Sequence, residues 1–382
     1  MQRLSQKYQS YSNILSSLEN FGIVIAIGPL LAIPRTGATV YEIGIKPLFS
    51  INPIIVSIVY FSVTLFFVIK PSGVVDKIGK ILTPILLLVI GFIIFNGIVH
   101  PLGAPIATKL PNPFSDGFLQ GYQTMDTLGA ILMGGIILTG IIEKGYVHRK
   151  DQLRLTTIAG LIAGGLLALV YGGLLYLGAT ASGSIVAGTS KSALIVEITN
   201  RLLGQSGQLF MCLAVSAACL TTSIGLTAIV GSYFEKLSKG KLTYKLVVTV
   251  TCIFSAAMAA VGVETIVLVA VPFLVLAYPI VIILIVFNLF DKFIPHPYAY
   301  KGGVAGAFAI GLLDALKTMD ISFMHQIVQG LNPVYTLVGK LPFATMGFAW
   351  VIPSLVLALI GIAIGIRTKT TVETEQELAD VA

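Results

Sequence analysis

The stretch LVVTVTCIFSAAMAAVGVETIVLVAVPFLVLAYPIVIILIVFNLF occupies residues 246–290 and carries one charged side chain, Glu264. A bilayer core about 30 Å thick takes roughly 20 apolar residues per helix. The run is long enough for two crossings, and Glu264 divides it, so it reads as a tight helical hairpin within lipid. Backbone polar groups in lipid have to be satisfied inside the segment, which helices do and open sheets do not.

Working outward, further stretches without Asp, Glu, Lys or Arg run over 20–34, 51–69, 81–108, 127–142, 155–190, 202–234, 302–313 and 341–366. The stretch 127–142 is too short alone, so its helix is expected to begin near Gly117 and to carry Asp126 into the membrane. The stretch 302–313 is expected to run on to about Leu316, and 20–34 to draw on the polar lead-in before it. The expected fold class is therefore an all-α integral membrane protein of about ten transmembrane helices.

The composition agrees. Of 382 residues, 56% are apolar and 11% charged, against roughly 25% charged in soluble domains, and the mean hydropathy is +0.94. So few charges do not cover a soluble body of this size, which excludes an ordinary cytosolic enzyme, a disordered chain and a nucleic-acid binder. The formal net charge of +7 has a topological explanation. The N-terminal segment, the loops near 70–80, 143–154, 235–245 and 291–301 and the C-terminal tail hold 17 Lys and Arg, while the intervening loops hold 7. Basic residues concentrate in cytoplasmic loops, so both termini are expected to be cytoplasmic in a multi-pass membrane protein. Residues 1–20 are polar and lack the basic start and apolar core of a secretory signal. Cys212, Cys219 and Cys252 lie in apolar stretches without metal-ligand spacing and read as packed thiols. Gly160-x3-Gly164 reads as a helix-packing face.

Three segments carry candidate chemistry. In 117–129, GFLQGYQTMDTLG, three glycines accompany an ionisable Asp126 at membrane depth. Glycine is a poor helix former, and a charge at that depth is costly unless it faces water, an ion or a partner. The segment therefore reads as an interrupted helix whose free backbone groups hold a ligand, or as an interfacial helix start capped by Asp126. In 217–225, AACLTTSIG, the hydroxyls of Thr221, Thr222 and Ser223 sit mid-span. Oxygen ligands suit hard cations, although such hydroxyls also bond back to their own helix. In 28–42, Pro29 and Pro34 disturb a helix flanked at its far end by Arg35 and Glu42, which read as a helix terminus or as a gate. No GxSxG, Walker A or HExxH motif is present, so transport would be driven by an ion gradient and not by a nucleotide.

The segments IGPLLAIPRTGATVYEIGI (27–45), DKIGKILTPILLL (76–88), GFLQGYQTMDTLGA (117–130) and ACLTTSIGL (218–226), in this order, resemble the bacterial branched-chain amino acid:cation symporter family. The likeness extends from about Phe21 to Arg367. It implies uptake of leucine, isoleucine and valine with Na+, or in some members H+, by a monomer in the lipid membrane that needs no cofactor. It also implies a LeuT-like architecture of two inverted five-helix repeats, here with an incomplete first repeat. Residues 1–100 would be three helices of that first repeat and 117–290 the second five-helix repeat with its broken first helix. Residues 302–366 would be two additional helices, and 367–382 a cytoplasmic tail, expected to be solvated and disordered.

The resemblance implies a substrate site at Gly121, Tyr122, Thr124, Met125 and Asp126. It implies a Na+ site at Ala218, Thr221 and Thr222, a small residue followed three and four positions on by hydroxyls. The family's first two helices find no match, so uptake by the chain as written is expected to be weak or absent. The alternatives are a non-transporting truncated copy acting as a scaffold or sensor and, further off, a membrane-embedded enzyme using Asp126. Neither nucleic acid nor enzymatic activity is expected.

Overall fold

The computed structural model describes residues 24, 26–69, 74–108, 110–186, 188–319 and 328–381, so the polar lead-in over 1–20 lies outside the described residues. Among these residues every regular element is a helix. Four helices are long and apolar enough to cross a membrane: Arg149–Ala181, Lys191–Leu237, Val263–Leu289 and Tyr298–Thr318. Shorter apolar helices cover Pro53–Val68, Thr83–Val99, Tyr244–Ala259 and Val351–Arg367. In chain order the elements are α1 (26–45), α2 (Pro53–Val68), α3 (Val74–Val99), α4 (Pro113–Gly121), α5 (Asp126–Glu143), α6 (Arg149–Ala181), α7 (Lys191–Leu237), α8 (Tyr244–Ala259), α9 (Val263–Leu289), α10 (Tyr298–Thr318), α11 (Asn332–Val338) and α12 (Val351–Val381).

Two compact units form. One comprises Met1–Thr108 and Thr127–Val267, the other Lys109–Asp126 and Leu268–Ala382. In the first, α1 begins and ends in wide π-helical turns, Ala26–Ala32 and Val40–Ile45, around an α-helical centre. The wide turn accommodates Pro29, which has no N–H to give, and Pro34 sits at the start of the α-helical centre where none is needed. The helix kinks at Gly28, where ψ is −107°, directly before Pro29, and runs on through Pro34 to Ile45, past the expected end near residue 34. Ser57 Oγ on α2 donates to Ala256 O on α8 at 2.6 Å, and Tyr244 Oη on α8 donates to Val68 O on α2 at 2.9 Å. These two bonds fix α2 and α8 side by side. Val68, Ile224 and Val248 fill the space between them and α7, while Ile93, Ile94, Leu177, Ala181, Ile198 and Met211 join α3, α6 and α7.

In the second unit, Ile283 and Phe287 of α9 pack with Ala299, Ala307 and Ile310 of α10 and with Trp350 and Ala358 at the start of α12. Lipid tails are as apolar as leucine, so helices in a membrane gain by close van der Waals fit and not by hiding surface from water. The fit here is made by glycine. A Cβ on Gly306 would lie 2.6 Å from Pro353 O, and one on Gly302 or Gly361 would overlap the backbone of Leu357 or Tyr298.

The structure corrects several expectations. The glycine face at Gly160 and Gly164 meets nothing within 4 Å, and the close approach occurs at Gly302-x3-Gly306 instead. None of the most apolar window of α6 is buried among the described residues. The loop expected over 191–201 is helical. Ser190 caps it by accepting the Ala193 N–H at 3.2 Å, and Arg201 pairs with Glu197 at 2.7 Å one turn away. The break falls at Gly204, where φ is +62°. Charge marked this segment as lying outside lipid, but charge does not prevent a helix. The tail expected to be disordered continues α12 to Val381. Extending an existing helix needs no new nucleation, and residues 373–379 supply good helix formers apart from Thr374.

Candidate functional site

Pro113 opens α4, where its missing N–H is one no helix would use. The helix closes at Gly121, tightens into a 3₁₀ turn over Tyr122–Thr124 and stops at Met125, whose φ of +63° and ψ of +10° are left-handed. α5 then starts afresh at Asp126. Gly117, Gly121 and Gly129 sit in helical stretches with open space where a Cβ would go, so they do not make the break. Met125 makes it. A non-glycine residue in that conformation costs about 1–2 kcal/mol and persists where its surroundings over-determine it.

The residues leading into the break make aromatic contacts. The Tyr122 ring stacks on Tyr278 at 4.3 Å and 3°. Phe118 sets its edge against Tyr122 at 5.7 Å and against Phe348 at 5.2 Å. Tyr122 and Met125 are buried, and Thr124 Oγ1 donates to Gly121 O at 2.8 Å. Asp126 is exposed as the first residue of α5, a position where a carboxylate is favoured by the helix dipole. The expected substrate residues thus form one contiguous break. Met125→Ile forces a β-branched residue into the left-handed region and is expected to destabilise the protein by about 1–2 kcal/mol, whereas Met125→Gly relieves that strain. Thermal unfolding of the two variants in detergent checks the order.

The hydroxyls lie on α7. Thr221 Oγ1 and Thr222 Oγ1 both donate to Ala218 O, each at 2.9 Å. Back-bonding and cation ligation are compatible, because a hydroxyl that donates its proton keeps its lone pairs. Ser223 points elsewhere. It is fully buried, with Thr64 Oγ1 of α2 3.5 Å from its Oγ. The break belongs to the second compact unit and the hydroxyls to the first.

Sequence reasoning missed the role of Glu42. Its Oε1 accepts the Val263 N–H at 2.8 Å and caps α9, a helix-terminus role with a partner 221 positions away. It also missed Tyr278, which sits in an uncharged apolar run and carries no signal except its ring.

Residues 2–368 match the family described as branched-chain amino acid transport protein. The chain belongs to this family. Its relatives are permeases and carriers, which places this member among transporters and not enzymes. The family member is 36% identical over 348 residues to the branched-chain amino acid permease BraB of Bacillus subtilis (strain 168), covering 89% of this chain and 76% of that one. It is 35% identical over 350 residues to the branched-chain amino acid transport system 2 carrier protein of Pseudomonas aeruginosa, covering 88% and 77%. It is 33% identical over 367 residues to the branched-chain amino acid permease BrnQ of Bacillus subtilis, covering 92% and 82%. No solved structure matches the chain. Membership of a transporter family and the apolar helices together make this a membrane-embedded protein.

Proposed function

We propose that the protein is a secondary active symporter that imports leucine, isoleucine and valine across the bacterial cell membrane, driven by Na+ or H+. The observation that carries this reading, within a family of branched-chain amino acid transport proteins, is the helix break at Tyr122–Met125. A helix end leaves up to four N–H or four C=O groups without helical partners. The α5 start offers N–H groups and positive dipole to a substrate carboxylate, and the α4 end offers carbonyls to its ammonium. Thr221, Thr222 and the Ala218 carbonyl supply oxygens for the coupling cation. A cation held there favours the outward-facing, substrate-ready state, and rocking of one helix group against another exposes the site to the other side. The architecture is of the LeuT type, with both termini cytoplasmic and the protein acting as a monomer.

The aliphatic side chain supplies the selectivity. At about 0.8 kcal/mol per buried CH₂, the three further carbons of leucine over alanine amount to about 2.4 kcal/mol, roughly a 60-fold preference. Competition against radiolabelled leucine binding checks this. Alanine competing as well as isoleucine would contradict the reading.

A further inference from the structure

The second unit holds a cavity of about 410 Å³ that reaches from the helix break to the far end of α10. Its size lies toward the small end for small-molecule sites. Val271, Leu274 and Val275 of α9 and Val338 of α11 make its wall apolar. Asp314 and Lys317 of α10, three residues apart and so on one helix face, both line it. The two charges act on one another, yet they are not in ion-pair contact among the described residues.

Two aromatic residues line the same space, though their polar atoms are buried away from it. Trp350 is 5% exposed and Tyr122 is 6% exposed, and both line the cavity. Neither Trp350 Nε1 nor Tyr122 Oη has a hydrogen-bond partner among the described residues. A buried indole N–H can only donate, and leaving a buried donor unsatisfied costs about 1–3 kcal/mol. Tyr335 completes the polar end. Its Oη donates to Leu313 O at 2.8 Å, and burial together with the Asp314 carboxylate pushes its phenol up, so it stays neutral and a donor. One negative group, one positive group and an aliphatic wall match one ligand chemistry.

We propose that this cavity is a second binding site for a zwitterionic aliphatic amino acid, next to the backbone groups of the helix break. The ligand's carboxylate meets Lys317 Nζ, its ammonium meets the Asp314 carboxylate, and its side chain lies on Val271, Leu274, Val275 and Val338. Lys317 and Thr318 are exposed, so this end of the cavity is open to arriving ligand. The charge asymmetry of the loops puts this end of α10 on the outer side. The site rests on the proposed transport of such amino acids and deepens it, giving the substrate a place to wait before it reaches the break.

Trp350 is the sole tryptophan of the chain, so its emission reports on this cavity. The test titrates leucine, leucine methyl ester and 4-methylpentanoate into the purified protein while following tryptophan fluorescence, with radiolabelled leucine binding measured on the same sample. Leucine is expected to change the emission saturably. The ester lacks the carboxylate and the acid lacks the ammonium, and each is expected to need about tenfold or more ligand, as the loss of one charge-assisted bond implies. Asp314→Asn and Lys317→Gln are expected to shift the leucine titration by a similar factor. Radiolabelled leucine binding with no change in emission overturns this site and leaves the proposed function standing. An emission response that keeps its midpoint in both charge variants overturns it as well, since the signal then arises at the break. Absence of both signals overturns the site and the proposed function together.

Discussion

Replacing Thr221 and Thr222 together by alanine is expected to raise the Na+ concentration for half-maximal leucine uptake by about tenfold or more. Hard cations are held by a small number of oxygens, and the double change removes two of them while keeping the Ala218 carbonyl. Both hydroxyls currently donate to that carbonyl at 2.9 Å. Their loss costs the helix little, because such back-bonds contribute little to helix stability and can bend it. Thr222 is exposed and Thr221 half-buried, so neither replacement leaves a large cavity. The change should therefore appear in the ion dependence and not in the amount of folded protein. Uptake into proteoliposomes at stepped Na+ concentrations, by the chain carrying a relative's first two helices, measures it. An unchanged Na+ dependence in the double variant removes the cation from this site. A dependence on pH with none on Na+ assigns the coupling to protons.

The second large effect concerns the fold. Gly302→Val and Gly306→Val are expected to abolish recovery of folded protein. A Cβ at Gly302 would overlap Leu357 O, and one at Gly306 would sit 2.6 Å from both Pro353 O and Ser354 Cα. These are backbone atoms of α12 and cannot rotate aside as a side chain can. Overpacking a core that can relax costs about 1–3 kcal/mol. Here two helices have to separate, and with them the packing of Ala299, Ala307 and Ala358. Gly160→Val and Gly164→Val are the controls, since a side chain there meets nothing within 4 Å. Size-exclusion profiles after heating compare the two pairs. Equal losses from both would show that glycine content, and not the α10–α12 contact, governs stability.

The contrast between these glycine pairs also shows what the sequence could express. Hydropathy over 246–290 was enough to recognise membrane helices, because the cost of an unpaired peptide group in lipid leaves little choice of structure. A glycine pair spaced by three residues marks a surface able to pack closely. It does not say which helix arrives, and the partner of Gly302 lies on α12. The same holds at the break. The segment 117–129 was legible as unusual from Asp126 and its glycines, but the residue that takes the left-handed conformation is Met125. The turn before it carries the Tyr122–Tyr278 stack, a contact between positions 156 apart. Asp314 was hidden for a related reason. It lies at the end of a short apolar stretch, where a charge reads as the edge of a span. Only the fold shows that it shares a cavity with Lys317 and Trp350.

The most direct measurement is leucine accumulation in cells that lack their own branched-chain carriers and express this chain with a relative's first two helices joined to its N-terminus. The account predicts uptake above the external concentration, abolished by collapsing the ion gradient and competed by isoleucine and valine but not by lysine. Uptake that only equilibrates, or accumulation that isoleucine and valine leave unchanged, would contradict it.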